Sequence, residues 1–156
     1  MAIYKGAGVA IITQMNEDLS INYDKLGELL EEQIAAGTDA IIICGTTGES
    51  ATLTEEEHMD AIKYPIDKVA KRIPVIAGTG SNCTETAARM SEEAAQYGAD
   101  GLLIFTLYYN KGTHKGLINH FKVIAEWLPI TPIIMYNVLI RTVCNLQPAP
   151  VVELSA

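Results

Sequence analysis

The sequence IIICGTTGES, residues 41–50, decides the fold. A short β-branched apolar run ends in a polar turn bracketed by two glycines, and Thr54 with three following glutamates then signals the start of a helix. This order is typical of a buried parallel strand that presents side chains at one end of an α/β sheet. Two functions of the turn are compatible with the pattern. Its hydroxyls and backbone N–H groups bind a small ligand, or its threonines only cap the helix.

The rest of the chain repeats this unit at intervals of roughly 30 residues. Apolar runs predict strands at 7–13, 40–44, 73–77, 101–106 and 132–136. Helical spacing follows at 23–36, 54–70, 84–97 and 116–127, and the last ten residues look like the start of another helix. Pro65 is expected to kink the second helix or to break it into two. Such alternation predicts parallel strands joined by right-handed crossovers.

Two architectures fit parallel strands, an open doubly wound sheet and part of a closed barrel. In an open sheet the ligand-binding turns cluster near one switch point. Here four successive turns carry polar or aromatic residues, which favours a barrel whose loops all face one site. A complete barrel has eight strands and typically about 250 residues. We therefore predict a single domain, residues 1–156, folded as a partial (β/α)8 TIM barrel with about five parallel strands.

The composition argues against several classes of protein. A net charge of −8 speaks against a nucleic-acid surface. The chain shows no apolar run of about 18 residues and no signal peptide, so we expect a cytoplasmic protein without a membrane contact. Its three cysteines are widely spaced, and its three histidines have no metal-binding context. We expect reduced thiols, no metal and no cofactor.

Four motifs in order resemble the N-terminal part of the dihydrodipicolinate synthase family, within the pyruvate-dependent class I aldolases. They are Gly45-Thr46-Thr47-Gly48-Glu49, Ala77-Gly78-Thr79-Gly80-Ser81-Asn82, Tyr108-Tyr109-Asn110-Lys111, and Tyr136-Asn137-Val138 with Arg141-Thr142. The resemblance covers nearly the whole chain. It implies a usually tetrameric barrel lyase that condenses pyruvate with aspartate semialdehyde through a lysine Schiff base, on the route to lysine.

The resemblance also implies catalytic roles for three residues. Tyr136 would be the proton shuttle beside the Schiff base, and Thr46 and Tyr109 would complete a relay to solvent. A chain of hydroxyl groups can move a proton without placing a full charge in an apolar barrel.

Three further residues would bind the substrates. Thr47 would hold the pyruvate carboxylate through its hydroxyl and backbone N–H, beside Gly48, which lets the backbone approach the ligand. Arg141 would bind the carboxylate of the second substrate near the mouth, because a guanidinium suits bidentate carboxylate recognition.

The sequence departs from the family pattern in two ways. The family's nucleophile is a lysine at the end of a sixth strand, and none of the chain's lysines ends an apolar strand. We therefore expect the chain to be inactive alone. The family usually has proline where this chain has Gln14, Leu107 and Leu139. It usually has a small or polar residue where this chain has Ile140 and Val143.

An alternative function remains open: a non-catalytic half-barrel, either a remnant or an engineered fragment, that assembles with copies of itself. A five-strand sheet has two unpaired edges and an uncovered apolar face, so we expect a homo-oligomer. Four aliphatic side chains are predicted to be buried at the seam, which is the contact between two copies: Leu107, Leu139, Ile140 and Val143.

Overall fold

The structure is a computed structural model that describes residues 2–128 and 130–155. Within these residues five strands alternate with helices. The strands are β1 (Gly8–Ala10), β2 (Ala40–Ile43), β3 (Val75–Gly78), β4 (Gly101–Phe105) and β5 (Ile133–Tyr136). The helices are α1 (Tyr23–Ala35), α2 (Glu55–Val69), α3 (Thr84–Tyr97), α4 (His114–Trp127), α5 (Leu139–Thr142) and α6 (Pro148–Ser155). A short 3-10 helix, Ser50–Thr52, precedes α2.

The five strands form one parallel sheet in the order β1-β2-β3-β4-β5. The register runs continuously from strand to strand. Ile42 of β2, for example, lies opposite Ala10 of β1 and Ile76 of β3. The sheet curls into a half-barrel with helices between successive strands, which confirms the predicted partial TIM barrel.

Side-chain caps fix where the helices begin, and therefore how long the turns above the strands are. The side chains of Asn22 and Thr113 each accept a backbone N–H in the first turn of α1 and α4. Thr54 forms a reciprocal capping box with Glu57 at the start of α2. Gly98 ends α3 with a φ of 99°, a left-handed conformation that glycine adopts at little cost.

The core lies between the sheet and the helices, so the other face of the sheet is less covered. In the segment just after β1, where the Ile11 N–H still pairs with the Ile42 carbonyl, Ile11 and Thr13 are buried, whereas Ile12 between them is 46% exposed. Because side chains alternate between the two faces of a strand, Ile12 points to the concave, inner face. That face and the free edges of β1 and β5 are open in the single chain.

Two expectations about single residues are corrected, the break at Pro65 and the seam position of Leu107; a kink at Pro65 stays a prediction. Helix α2 is not broken at Pro65, which is buried within one helix of 15 residues. Leu107 is not available for a seam between copies, because it is buried against Leu117 and Cys144 of its own chain. Leu139, Ile140 and Val143 are exposed, so for them burial by a second copy stays a prediction.

Candidate functional site

The turn after β2 is a compact, hydrogen-bonded structure. The Gly48 N–H donates to the Gly45 carbonyl at 3.1 Å, and the Glu49 N–H donates to the Thr46 carbonyl at 3.2 Å. Cys44 enters the turn with a φ of 54°, an uncommon conformation for a residue with a side chain. Strain of this kind persists only where the surroundings fix the backbone, and it is concentrated at functional sites.

Two neighbouring elements hold this turn in place. The buried Thr13 hydroxyl, just after β1, donates to the Gly48 carbonyl at 2.7 Å. On the other side His58 of α2 donates from Nε2 to the Gly78 carbonyl at 2.7 Å, which ties α2 to the end of β3. Burial lowers the pKa of His58, although its bond to that carbonyl opposes the shift. His58 is therefore neutral at neutral pH.

A cavity of about 460 Å³ opens beside the turn, at the carboxyl ends of the strands. The residues after β2 and the start of α2 form one wall, with Thr46, Glu49, Glu55 and His58 among them. The remaining walls come from the segments after the next three strands, including Ser81, Phe105, Tyr108, Val138, Arg141 and Thr142. Substrates of TIM barrels bind at this end, and the cavity has the size of a small-molecule site.

The structure brings some of the predicted site residues together at this cavity. Thr46 and Arg141 both line it. Tyr136 is half-buried and lies opposite Phe105 in the sheet, so its side chain projects to the same face as that cavity residue. Gly48 is buried beneath the turn, where a Cβ would lie 3.2 Å from the Ile11 carbonyl oxygen. Thr47 is exposed at the tip of the turn.

Tyr109 lies apart from the other predicted site residues. Its side chain is 93% exposed and its φ is 66°, and the cavity is lined instead by Tyr108, the first tyrosine of the pair. The loop is fixed by Asn110, whose Nδ2 donates to the Asn82 carbonyl at 3.0 Å. Within one chain Tyr109 does not approach Thr46, so its role in a relay stays a prediction.

Sequence reasoning missed His58, Glu49 and Glu55 as cavity residues. Their short sequence separation from the glycine turn could have identified them. A helix that starts a few residues after the end of a barrel strand places its first turn at the same mouth of the barrel. Glu55 is paired with Arg89 at 2.5 Å. None of the five ion pairs among the described residues includes Arg141, whose guanidinium is exposed and available to a ligand.

The chain's lysines lie outside the cavity, and the buried thiol of Cys44 is protonated. All eight lysines are exposed, and within the described residues none lines the cavity. Burial raises the pKa of the Cys44 thiol to about 12, so this sulfur stays protonated. The described residues also contain no group of three or more histidines, cysteines and carboxylates arranged to hold a metal ion. No helix in residues 2–128 and 130–155 combines the length and apolar character that crossing a membrane requires.

The model of the dihydrodipicolinate synthetase family matches residues 4–156. The chain belongs to this family. A 4-hydroxy-tetrahydrodipicolinate synthase of Lachnoclostridium phytofermentans is 59% identical over 148 residues, 95% of this chain and 50% of that protein. One from Thermoanaerobacter sp. (strain X514) is 58% identical over 155 residues, 99% of this chain and 52% of that protein.

A solved structure extends the likeness to the fold. Dihydrodipicolinate synthase from Acinetobacter baumannii, crystallised with pyruvate, superposes with a TM-score of 0.95 at 44% identity. The match covers 99% of this chain and 52% of that one. The chain thus spans about half the length of the dihydrodipicolinate synthases it matches.

Proposed function

We propose that this chain forms the N-terminal half-barrel, residues 1–156, of a lysine-biosynthesis lyase that condenses pyruvate with aspartate semialdehyde. The observation that carries the proposal is the pinned Gly45–Gly48 turn, which places Thr46 in a cavity shared with Arg141. Family membership and the pyruvate bound to the Acinetobacter baumannii relative support this choice of substrate.

The proposed roles follow from the chemistry of the groups. The Thr47 hydroxyl and backbone N–H, beside Gly48, bind the pyruvate carboxylate, since two donors on one turn match two carboxylate oxygens. Tyr136 shuttles the proton beside the Schiff base, and Thr46 belongs to the relay that passes this proton to and from solvent. Arg141 binds the carboxylate of the second substrate at the mouth.

Tyr109 requires a second copy of the chain to join this relay. It projects into solvent from a loop with two residues in left-handed conformations, Tyr109 and Lys111. In the proposed homo-oligomer this exposed ring reaches the cavity of the neighbouring copy. The alternative function, a non-catalytic self-assembling half-barrel, rests on the open concave face around Ile12 and on the exposed aliphatic residues of α5.

The chain alone is proposed to be inactive, because its lysines are exposed and lie outside the cavity. Borohydride reduction in the presence of pyruvate, followed by intact mass measurement, tests this point. We expect no stoichiometric adduct. An adduct mapped to one lysine, with Lys111 the first to inspect, would overturn it.

Pyruvate binding is tested by NMR titration. Weak binding, in the millimolar range and so equivalent to roughly 4 kcal/mol, is expected to shift the Gly45–Gly48 amide resonances. Thr47→Val should abolish these shifts. Thr38→Val is the matched control, because Thr38 lies in the turn before β2, at the opposite end of the strand. Unshifted amides in the unsubstituted chain at tens of millimolar pyruvate would contradict the proposal.

A further inference from the structure

Two buried hydroxyl groups lie beneath the segment that carries Arg141. Thr106 directly follows β4, and Thr142 directly follows Arg141. Their Oγ1 atoms are 3.0 Å apart, and Thr106 is fully buried while Thr142 is nearly so. Both hydroxyls also reach the Cys144 carbonyl oxygen, Thr106 at 3.0 Å and Thr142 at 3.1 Å.

These contacts form a closed set of hydrogen bonds. Thr142 Oγ1 accepts the Cys144 N–H at 3.3 Å and lies 3.3 Å from the Val138 carbonyl oxygen. Each hydroxyl has one proton, so the two hydroxyls donate two of these bonds at a time: Thr106 can donate to Thr142 Oγ1 while Thr142 donates to the Cys144 or the Val138 carbonyl. Neither hydroxyl oxygen is left without a partner. A buried network that is fully satisfied favours one backbone conformation over its alternatives.

The backbone beside this network needs such support. Val143 has a φ of 54°, a left-handed conformation that is costly for a β-branched residue. The base of the segment is closed by Asn137, whose side-chain oxygen accepts the Leu146 N–H at 3.1 Å. The Arg141 guanidinium has no ion-pair partner among the described residues. The backbone of its own segment sets the position of the Arg141 Cα at the edge of the cavity.

We propose that Thr106 and Thr142 are positioning residues that fix the Val138–Cys144 segment and so direct the Arg141 guanidinium into the cavity. The hydroxyls act through the backbone, because both are hydrogen-bonded within the chain, and Thr142 borders the cavity as well. The segment's conformation is a property of the chain itself, whereas its consequence for carboxylate binding rests on the proposed function.

The test uses the full chain with Thr142→Val and Thr106→Val. Thr142→Ser and Thr106→Ser keep the hydroxyl and serve as conservative variants. Thr79→Val is the matched control for losing a buried threonine hydroxyl elsewhere, since Thr79 lies at the end of β3 and bonds to Ser91 at 2.7 Å. The first readout is hydrogen exchange at the backbone amides of Val143 and Cys144, relative to the amides of β4.

We expect exchange at these two amides to be at least tenfold faster in both valine variants, with β4 unchanged. The serine variants should restore slow exchange, and Thr79→Val should leave it untouched. Exchange in both valine variants within twofold of the unsubstituted chain would overturn the proposal. So would serine variants that exchange as fast as the valine variants.

The second readout is NMR titration with succinate, a dicarboxylate probe for Arg141, beside a titration with pyruvate. Thr142→Val should weaken succinate binding at least fivefold and leave the pyruvate midpoint at the Gly45–Gly48 amides unchanged, and Arg141→Ala should do the same. If pyruvate does not shift the Gly45–Gly48 amides of the unsubstituted chain, the proposed function is refuted, but the positioning role of the two threonines is not. Fast exchange at Val143 without any change in succinate affinity would overturn the link from the two threonines to Arg141.

Discussion

At the scale of single residues, His120 is the group whose surroundings match it least. It lies on α4, almost fully buried, where Nδ1 meets the Thr84 hydroxyl at 2.9 Å and Nε2 has no hydrogen-bond partner within residues 2–128 and 130–155. Burial lowers the pKa of His120 from 6.5 to about 4. Protonating His120 therefore costs more free energy in the folded chain than in the unfolded chain.

This burial predicts a loss of stability in mild acid. Between pH 6.5 and 4 the unfolded chain binds a proton at His120 that the folded chain does not, so the free energy of unfolding falls by roughly 3 kcal/mol across that window. His58, with its lowered pKa, contributes in the same direction. Urea titrations at several pH values measure the effect. His120→Phe should reduce the pH dependence of the free energy of unfolding, whereas His114→Phe, at an exposed position, should not. Equal pH dependence in the two variants would contradict the assignment to His120.

Val143 offers a stability gain at one position. Its left-handed φ costs a branched residue on the order of 1–2 kcal/mol, and its side chain is 71% exposed, so little packing is lost when it is removed. We expect Val143→Gly to raise the free energy of unfolding by about 1 kcal/mol, after the entropy cost of glycine. Val152→Gly is the control: that residue is 67% exposed but helical, and its replacement should destabilise. A less stable Val143→Gly variant in urea denaturation would refute this account.

Part of the site follows from the sequence, because glycine turns at strand ends identify where it lies. Thr46 and Arg141, which the family resemblance singled out, both line the cavity, and their roles in binding and catalysis stay predictions. Which tyrosine of the pair faces the cavity could not be predicted. The orientation depends on the sign of φ at Tyr109, and nothing in the residue type fixes that sign.

At the scale of elements, periodicity and capping residues carried the prediction of the fold. Helix α3 was predicted at its observed bounds because a strand-end loop precedes it and Gly98 ends it. Helix α2 continues through the buried Pro65 without the break that was one expectation there, and the kink that was the other stays a prediction. Helix α5 was not predicted, because four residues are too few to show helical spacing.

The contact between β1 and the turn after β2 can be tested directly. Thr13→Val leaves the buried Gly48 carbonyl without its donor, which should cost roughly 1–3 kcal/mol of unfolding free energy in urea denaturation. Pyruvate binding at the Gly45–Gly48 amides should weaken several-fold at the same time. Thr13→Ser keeps the hydroxyl and should retain both properties. A valine variant with unchanged stability and pyruvate affinity would mean that this bond does not shape the turn.

At the scale of the whole molecule, the open concave face governs behaviour in solution. Uncovered apolar surface of several hundred Å² would cost on the order of 10 kcal/mol at about 25 cal/mol/Å², so a second copy is expected to cover it. Light scattering at micromolar concentration should show an oligomer. A stable monomer with a cooperative melt would contradict this expectation.

A matched pair of substitutions locates the oligomer contact. Ile12→Ser removes an apolar side chain from the concave face and should shift the assembly towards monomer. Leu19→Ser removes one that is 75% exposed in the loop before α1 and should leave the assembly unchanged. Equal effects of the two substitutions would place the contact elsewhere.

The order of strands in the sheet has a consequence for synthesis. In the part of the chain that the structure describes, strands that neighbour each other in the sheet are also consecutive along the chain. Every pairing therefore closes a loop of only a few tens of residues, and no strand waits for a distant partner. As the polypeptide leaves the ribosome, β2 can dock on β1, then β3 on β2, with each new helix covering the seam just formed. The half-barrel is thus suited to vectorial folding, growing at one edge while translation continues.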